Sequence, residues 1–194
     1  MLADEDRKKL LALKRNLDPS VDVVSMLYHI AFDALGNPVA TCRRNRIVKR
    51  SRGFRWVGAV HEYLEVGGKT LLSDAAVTHR KCDKVRTAVP FDRNLNIYEN
   101  RLQRGEAFSP RDLFYYANEL RDHRQYWKAI LYYREFLATR RGWVEDQIRA
   151  CLNMADCYQL AGEEYKALEA LVMTMNYDAP RPEAACKIGD IYKS

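Results

Sequence analysis

What this chain of 194 residues does not contain narrows its chemistry first. No apolar run approaches the roughly 18 residues that a membrane span needs. The charged start, Asp4-Glu5-Asp6-Arg7-Lys8-Lys9, is unlike a secretory leader. There is no Gly-rich phosphate loop, no dinucleotide fingerprint and no nucleophile elbow. P-loop nucleotide hydrolases, dinucleotide oxidoreductases and serine esterases therefore find no support. The five cysteines, Cys42, Cys82, Cys151, Cys157 and Cys186, are odd in number and form no C-x-x-C pair. That pattern argues against a disulfide framework and for a reducing, cytoplasmic compartment. His79-x-x-Cys82 is half of a zinc pair with no second half in the sequence.

Hydrophobic residues make up 47% of the chain, enough to bury a core. The net charge of +6 is unevenly placed. Residues 1–108 carry 20 Lys/Arg against 13 Asp/Glu, while residues 109–194 carry 12 against 13. All the excess positive charge lies in the front half, which favours a phosphate-bearing or otherwise anionic partner there.

Small residues recur at fixed spacing in the back half. Ala155 and Gly189 lie 34 residues apart, each followed three positions later by a tyrosine, Tyr158 and Tyr192. Ala117 with Leu120 is an earlier copy at that period plus four, and Ala129 and Ala167 fall twelve residues after Ala117 and Ala155. This is tetratricopeptide spacing, with small residues where paired helices press together. It assigns residues 109–194 to a helical repeat array. Ser109-Pro110-Arg111-Asp112 opens it with an N-cap serine, a proline at the first helical position and an acid at the third. The insertion of four falls around Arg140–Val144, Gly162 turns the second repeat, and Asp178–Pro182 precedes the third. Such arrays present concave surfaces to peptides or proteins, and Tyr115, Asn118, Arg121 and Asn153 are candidate groove residues.

In the front half, Leu10, Leu13 and Leu17 predict a helix over 7–17, with acids at its start that suit the helix dipole. From Asp22 the period becomes two, which predicts a strand through Ile30. Gly36-Asn37-Pro38 turns the chain into a second strand over Val39–Cys42. Further short strands are expected at Arg46–Lys49, Phe54–Trp56, His61–Val66, Thr70–Leu72 and Ala75–His79. Helical spacing returns over Arg93–Arg104. The fold class is α+β, with a front domain over 1–92, a connecting helix within 93–108 and the array over 109–194. No parallel strands are expected in residues 1–100.

Chemistry is best sought in the front half. Arg43, Arg44, Arg46, Lys49, Arg50, Arg52 and Arg55 are interleaved with Phe54 and Trp56. They form either a solvated face or a phosphate site, since guanidinium forks match phosphate oxygens. Nucleic acid is the less favoured anion, because no RNA-binding or helix-turn-helix signature accompanies the cluster. In Trp56-Val57-Gly58-Ala59-Val60-His61-Glu62, Glu62 is either a strand-surface residue or a general base that His61 orients. His79 is either a structural histidine or a metal ligand. Asp4-x-Asp6 reads as helix N-terminal acids rather than a metal pair, since only three residues precede it.

Taken in order, these segments resemble a known family. They are Asp6-Arg7-Lys8-Lys9-Leu10, the strand from Asp22 to Tyr28, Phe32-Asp33 with Gly36-Asn37-Pro38, Arg44–Arg50, Phe54–Glu62, Thr78-His79 and Ser109–Leu120. The chain resembles the C-terminal part of bacterial family 2 glycosyltransferases with a tetratricopeptide extension, the group that includes sublancin-type S-glycosyltransferases. The resemblance implies a partial nucleotide-sugar transferase (GT-A-like) lobe and inverting transfer of a sugar from a nucleotide diphosphate donor to an acceptor protein or glycan. It implies that Glu62, with His61, serves as the base and that Arg44 and Arg46 face the diphosphate. Trp56 would wall the acceptor pocket, and His79 would help hold the Mn²⁺ or Mg²⁺ of the complete enzyme. In that family a nucleotide-binding half ending in D-x-D precedes the segment matching Asp6–Leu10. The expectation is therefore a truncated enzyme that by itself holds no metal, binds sugar nucleotides weakly and does not turn over. The alternative is an interaction module gripping a peptide on the repeat groove.

Overall fold

A computed structural model describes residues 3–78 and 92–193. The chain is α+β: a mixed sheet with a helix comes first, followed by an array of packed α-helices. Two compact units divide it, Met1–Val89 and Pro90–Ser194.

The front unit begins with α1 (Asp4–Asn16). Its Leu10 and Leu13, with Leu17 just beyond, pack on the buried Val24, Met26 and Ala75 of the sheet and on Val21 just before it. Asp6 does more than suit the helix dipole: its Oδ1 accepts from the Ala76 amide at 2.8 Å, tying α1 to the sheet. The sheet has the order β2-β1-β5, with β1 over Val23–Phe32, β2 over Pro38–Val48 and β5 over Thr70–Thr78. As the central strand, β1 buries Val23, Val24, Ser25 and Met26 in succession on both faces. At the hairpin tip the Asp33 carboxylate accepts from the Leu35 and Asn37 amides at 2.9 and 2.8 Å, an Asx turn of the kind the Gly-Asn-Pro sequence promised.

Three expectations change. The strands expected at Val39–Cys42 and Arg46–Lys49 are one strand, because the polar run Arg43-Arg44-Asn45 keeps the ladder while hiding its alternation. Thr70–Leu72 and Ala75 onward likewise merge into β5. Its register with β1 shifts between Ser25 and Leu27, and the Ser73 hydroxyl bridges that irregularity to the Ala75 amide at 3.1 Å. Finally, β1 and β5 are parallel, so the front half does contain a parallel pair. A short β-hairpin, β3 (Arg55–Val57) with β4 (Tyr63–Glu65), forms a separate two-stranded sheet within the connection between β2 and β5. An Arg50–Arg52 3₁₀ turn precedes it.

The second unit starts at α2 (Arg93–Gln103) and continues through α3 (Pro110–Asp122), α4 (Tyr126–Ala138), α5 (Val144–Leu160), α6 (Glu164–Met173) and α7 (Pro182–Ile191). Successive helices pack together from α2 onto α3 and from α3 through to α7. Ala117, Ala129, Ala155 and Ala167, the small residues of the repeat spacing, are completely buried where α3 meets α4 and α5 meets α6. Ser109 and Asp112 form a reciprocal capping box at the start of α3. The four-residue insertion is the turn between α4 and α5, where Gly142 has φ +115 and a Cβ would meet the Phe136 ring at 2.9 Å.

The core of this unit is aromatic. Tyr98 and Tyr116 pack at 5.5 Å between ring centroids, and Phe114 and Phe136 pack at 5.3 Å. Tyr116 donates to Glu99 Oε1 at 2.6 Å, and Lys128 donates to the same oxygen at 2.7 Å. Cys151 and Cys157 are buried, and burial pushes their thiols up to about 12 and about 11, whereas Cys186 is exposed. Among the described residues no helix is long and apolar enough to cross a membrane.

Candidate functional site

Two neighbouring pieces of the front unit enclose a cleft of about 470 Å³. Tyr28, Arg43, Arg44, Asn45 and Arg46 from β1 and β2 form one wall, and Trp56, Glu62, Tyr63 and Leu64 from the β3–β4 hairpin form the other. Five of the residues singled out from the sequence, Arg43, Arg44, Arg46, Trp56 and Glu62, therefore line one concavity.

Backbone irregularity explains how the arginines are presented. Val24 pairs with Ile47 and Ser25 with Asn45, leaving Arg46 as the extra residue of a β-bulge. Bulges re-aim a side chain and locally increase twist. The Arg46 guanidinium carbon lies over the Tyr28 ring, 4.8 Å from its centroid. Such a stack holds a partly exposed arginine by about 0.5–1 kcal/mol while leaving its N–H edges free to bind. Arg43 has a different task. Its Nη1 donates to the Ser25 and Ser73 carbonyls at 3.2 and 3.0 Å, so it straps the sheet together. Among the described residues the Arg44 guanidinium and the Glu62 carboxylate have no hydrogen-bond or ion-pair partner. Among the described lining residues the guanidiniums of Arg44 and Arg46 outnumber one carboxylate, which makes the cleft cationic, and Glu62 lines it from the hairpin side.

The hairpin wall is tightly turned. His61 has φ +51, a left-handed conformation that costs a non-glycine residue, and it directly precedes Glu62. His61 does not line the cleft; its place is in the turn that sets the direction of Glu62. The indole of Trp56 is 66% exposed, so the aromatic wall is open to solvent. His79 lies outside the described residues, as does Cys82.

A divalent metal finds no ligand set here. Among the described residues Glu62 is the only carboxylate lining the cleft, and no group of three or more His, Cys, Asp or Glu could hold an ion. Asp6, the nearer half of Asp4-x-Asp6 to the sheet, is engaged with the Ala76 amide. The chemistry available to the described residues is anion binding by arginine and proton acceptance by Glu62.

Sequence reasoning did not mark Tyr28 or Tyr63 as lining residues, and it did not separate Arg43, which straps the sheet, from its neighbours in the basic run. The alternation around Tyr28 gave its strand face, but nothing local signalled its stack on a residue 18 positions away. Among the candidate groove residues of the array, Asn118 and Asn153 are used internally. Tyr133 donates to Asn118 Oδ1 at 2.6 Å, and the Asn153 amide donates to the same oxygen at 3.0 Å. Arg121 pairs with Asp122 at 2.8 Å, and the Arg111 guanidinium stacks over Tyr115 at 4.7 Å.

No protein-family model matches this sequence. No curated protein matches it significantly.

Proposed function

We propose that the front unit is the acceptor-side portion of an inverting, family 2-like glycosyltransferase, and that the helices following it in sequence form a tetratricopeptide-like array that docks the acceptor or a partner protein. The carrying observation is the convergence of Arg44, Arg46, Trp56 and Glu62 on one cleft from two separate pieces of sheet. In this reading Arg44 and Arg46 hold the diphosphate of a nucleotide-sugar donor and stabilise the negative charge that grows on it as the sugar leaves. Glu62 accepts the proton of the attacking acceptor group as the new bond forms on the opposite face of the sugar carbon. Trp56 and Tyr63 offer ring faces to the acceptor. The metal that such enzymes use would neutralise diphosphate charge, and the described residues of this chain do not supply its ligands.

Calorimetry with UDP as the probe tests the cleft. The intact chain should bind UDP weakly, with affinity falling as salt rises, because the contacts are partly exposed charges. Arg44→Ala and Arg46→Ala should each weaken binding by about tenfold, in line with one lost charge-assisted contact. Glu62→Gln should bind UDP at least as well as the parent, since it removes a negative charge facing the phosphates. UDP binding indifferent to both arginines would overturn the reading.

A further inference from the structure

The wall of the cleft that carries Glu62 is built unlike the wall that carries the arginines. Residues 54–66 form a hairpin whose two strands hydrogen-bond to each other and, among the described residues, belong to no larger sheet. Of these thirteen residues only Val60 is buried. Isolated two-stranded hairpins are marginally stable in water, and segments with little burial open at low free-energy cost.

Glycines stand at both feet. Gly53 closes the 3₁₀ turn with φ +63 and donates its amide to the Arg50 carbonyl at 3.1 Å. Gly67-Gly68 follows the hairpin, and Gly68 has φ +92. Both feet meet at one residue, Asp22. Its carbonyl accepts from the Lys49 amide at 2.8 Å, and its amide donates to the Lys69 carbonyl at 2.9 Å. Its Oδ2 accepts from the Lys69 amide at 3.0 Å, while Oδ1 lies 3.5 Å from Arg52 Nε. A Cβ at Gly68 would strike the Asp22 carboxylate, so that close approach requires glycine.

We propose that residues 54–66 are a flap that closes over a diphosphate-bearing ligand at the arginine wall, and that Asp22 is the positioning residue that fixes both feet of the flap. The identity of the ligand rests on the function proposed above; the flap and its anchor rest on the geometry just given. Closure brings Glu62 toward the bound ligand and covers Trp56 and Tyr63, which are 66% and 37% exposed. Torsional change at a few terminal residues suffices for such a motion. Gly53 and Gly67-Gly68 supply those residues, while Asp22 keeps the hinge from drifting. Water is excluded from the space between Glu62 and the guanidiniums, where both interactions strengthen.

Amide hydrogen exchange on the intact chain, with UDP at millimolar concentration as the probe, tests this. Saturating UDP should slow exchange across residues 54–66 by about tenfold and leave α3 to α6 unchanged. Asp22→Ala should speed exchange of the same segment about tenfold in the free protein and weaken UDP binding. Arg52→Ala, which removes only the ion pair, should do so about threefold, and it stands in if Asp22→Ala fails to fold. UDP that binds with Arg44-dependent heat yet leaves exchange of 54–66 unaltered would sink the flap while sparing the cleft reading. Absence of Arg44-dependent heat would remove both. Acceleration absent from both anchor variants would remove the role of Asp22.

Discussion

The two units spend their charged residues differently. In the helical unit, several acids and bases are tied to one another across helices. Arg101 meets Asp112 at 2.7 Å, Lys128 meets Glu99 at 2.7 Å, Arg181 meets Glu145 at 2.7 Å, and Lys187 is paired with Asp156. The front unit also pairs Lys69 with Asp18 at 2.8 Å, but around its cleft Arg44 and Glu62 have no partner among the described residues and Arg46 stacks on a ring. The cores differ in the same sense. The front unit buries a small aliphatic set around Val24 and Met26, while the helical unit buries Tyr116 and Tyr133, whose hydroxyls reach a carboxylate and an amide. Charge satisfied inside a structure stabilises it, whereas charge left open at a concavity is available to a ligand. This contrast favours reading the helical unit as scaffold and the front unit as the seat of the binding chemistry proposed above.

Substitutions that should hit one unit and spare the other sharpen that contrast. Phe136→Ala removes a ring that is 1% exposed and packs on Phe114 and under Gly142. It should cost about 3–5 kcal/mol, measured as the urea dependence of helical circular dichroism. A loss below about 1 kcal/mol would mean the aromatic core is not the load it looks to be. Asn153→Ala deletes the amide that links α5 to Asn118 on α3 and Tyr133 on α4. Leaving those buried partners short of a hydrogen bond should cost about 1–3 kcal/mol in the same experiment.

Ser109→Ala removes the cap of α3 and should cost about 1 kcal/mol at neutral pH. Acid should shrink that difference. Burial alone would raise the Asp112 carboxyl, but hydrogen bonds from Arg101 and Ser109 outweigh it and hold the group below its ordinary value. A carboxyl depressed in the folded state stabilises fully above its unfolded value of about 4 and loses that contribution as pH falls through the folded value. Parent and Ser109→Ala melts should converge toward low pH; a gap that widens in acid would contradict this account of the cap. The smallest effect belongs to the β1–β2 tip. Leu35 is 87% exposed, and Leu35→Ser should change stability by no more than about 0.5 kcal/mol.

Local rules made much of the architecture readable. The repeat spacing located the alanines that vanish between helices, and Ser-Pro-Arg-Asp announced α3 because a cap is written in four adjacent residues. The Asp33 turn was legible for the same reason. What escaped was set by distant partners. The continuity of β2 through Arg43–Asn45 depends on hydrogen bonds to β1, and the parallel pairing of β5 with β1 joins segments about fifty residues apart. Of the site, the residue types and their approximate order were visible in the basic run and in His61-Glu62. The Arg46 bulge and its stack on Tyr28 were not, because register is a property of two strands together.

The unequal burial of the cysteines has a practical corollary. Thiolate is the species that reacts with maleimides, and the thiols of Cys151 and Cys157 are both shielded and shifted upward. Among the described cysteines, Cys186 on α7 should take a fluorophore first and half-buried Cys42 more slowly. A dye placed at Cys186 in the unmodified sequence would report from α7 without disturbing the interior of the helical unit.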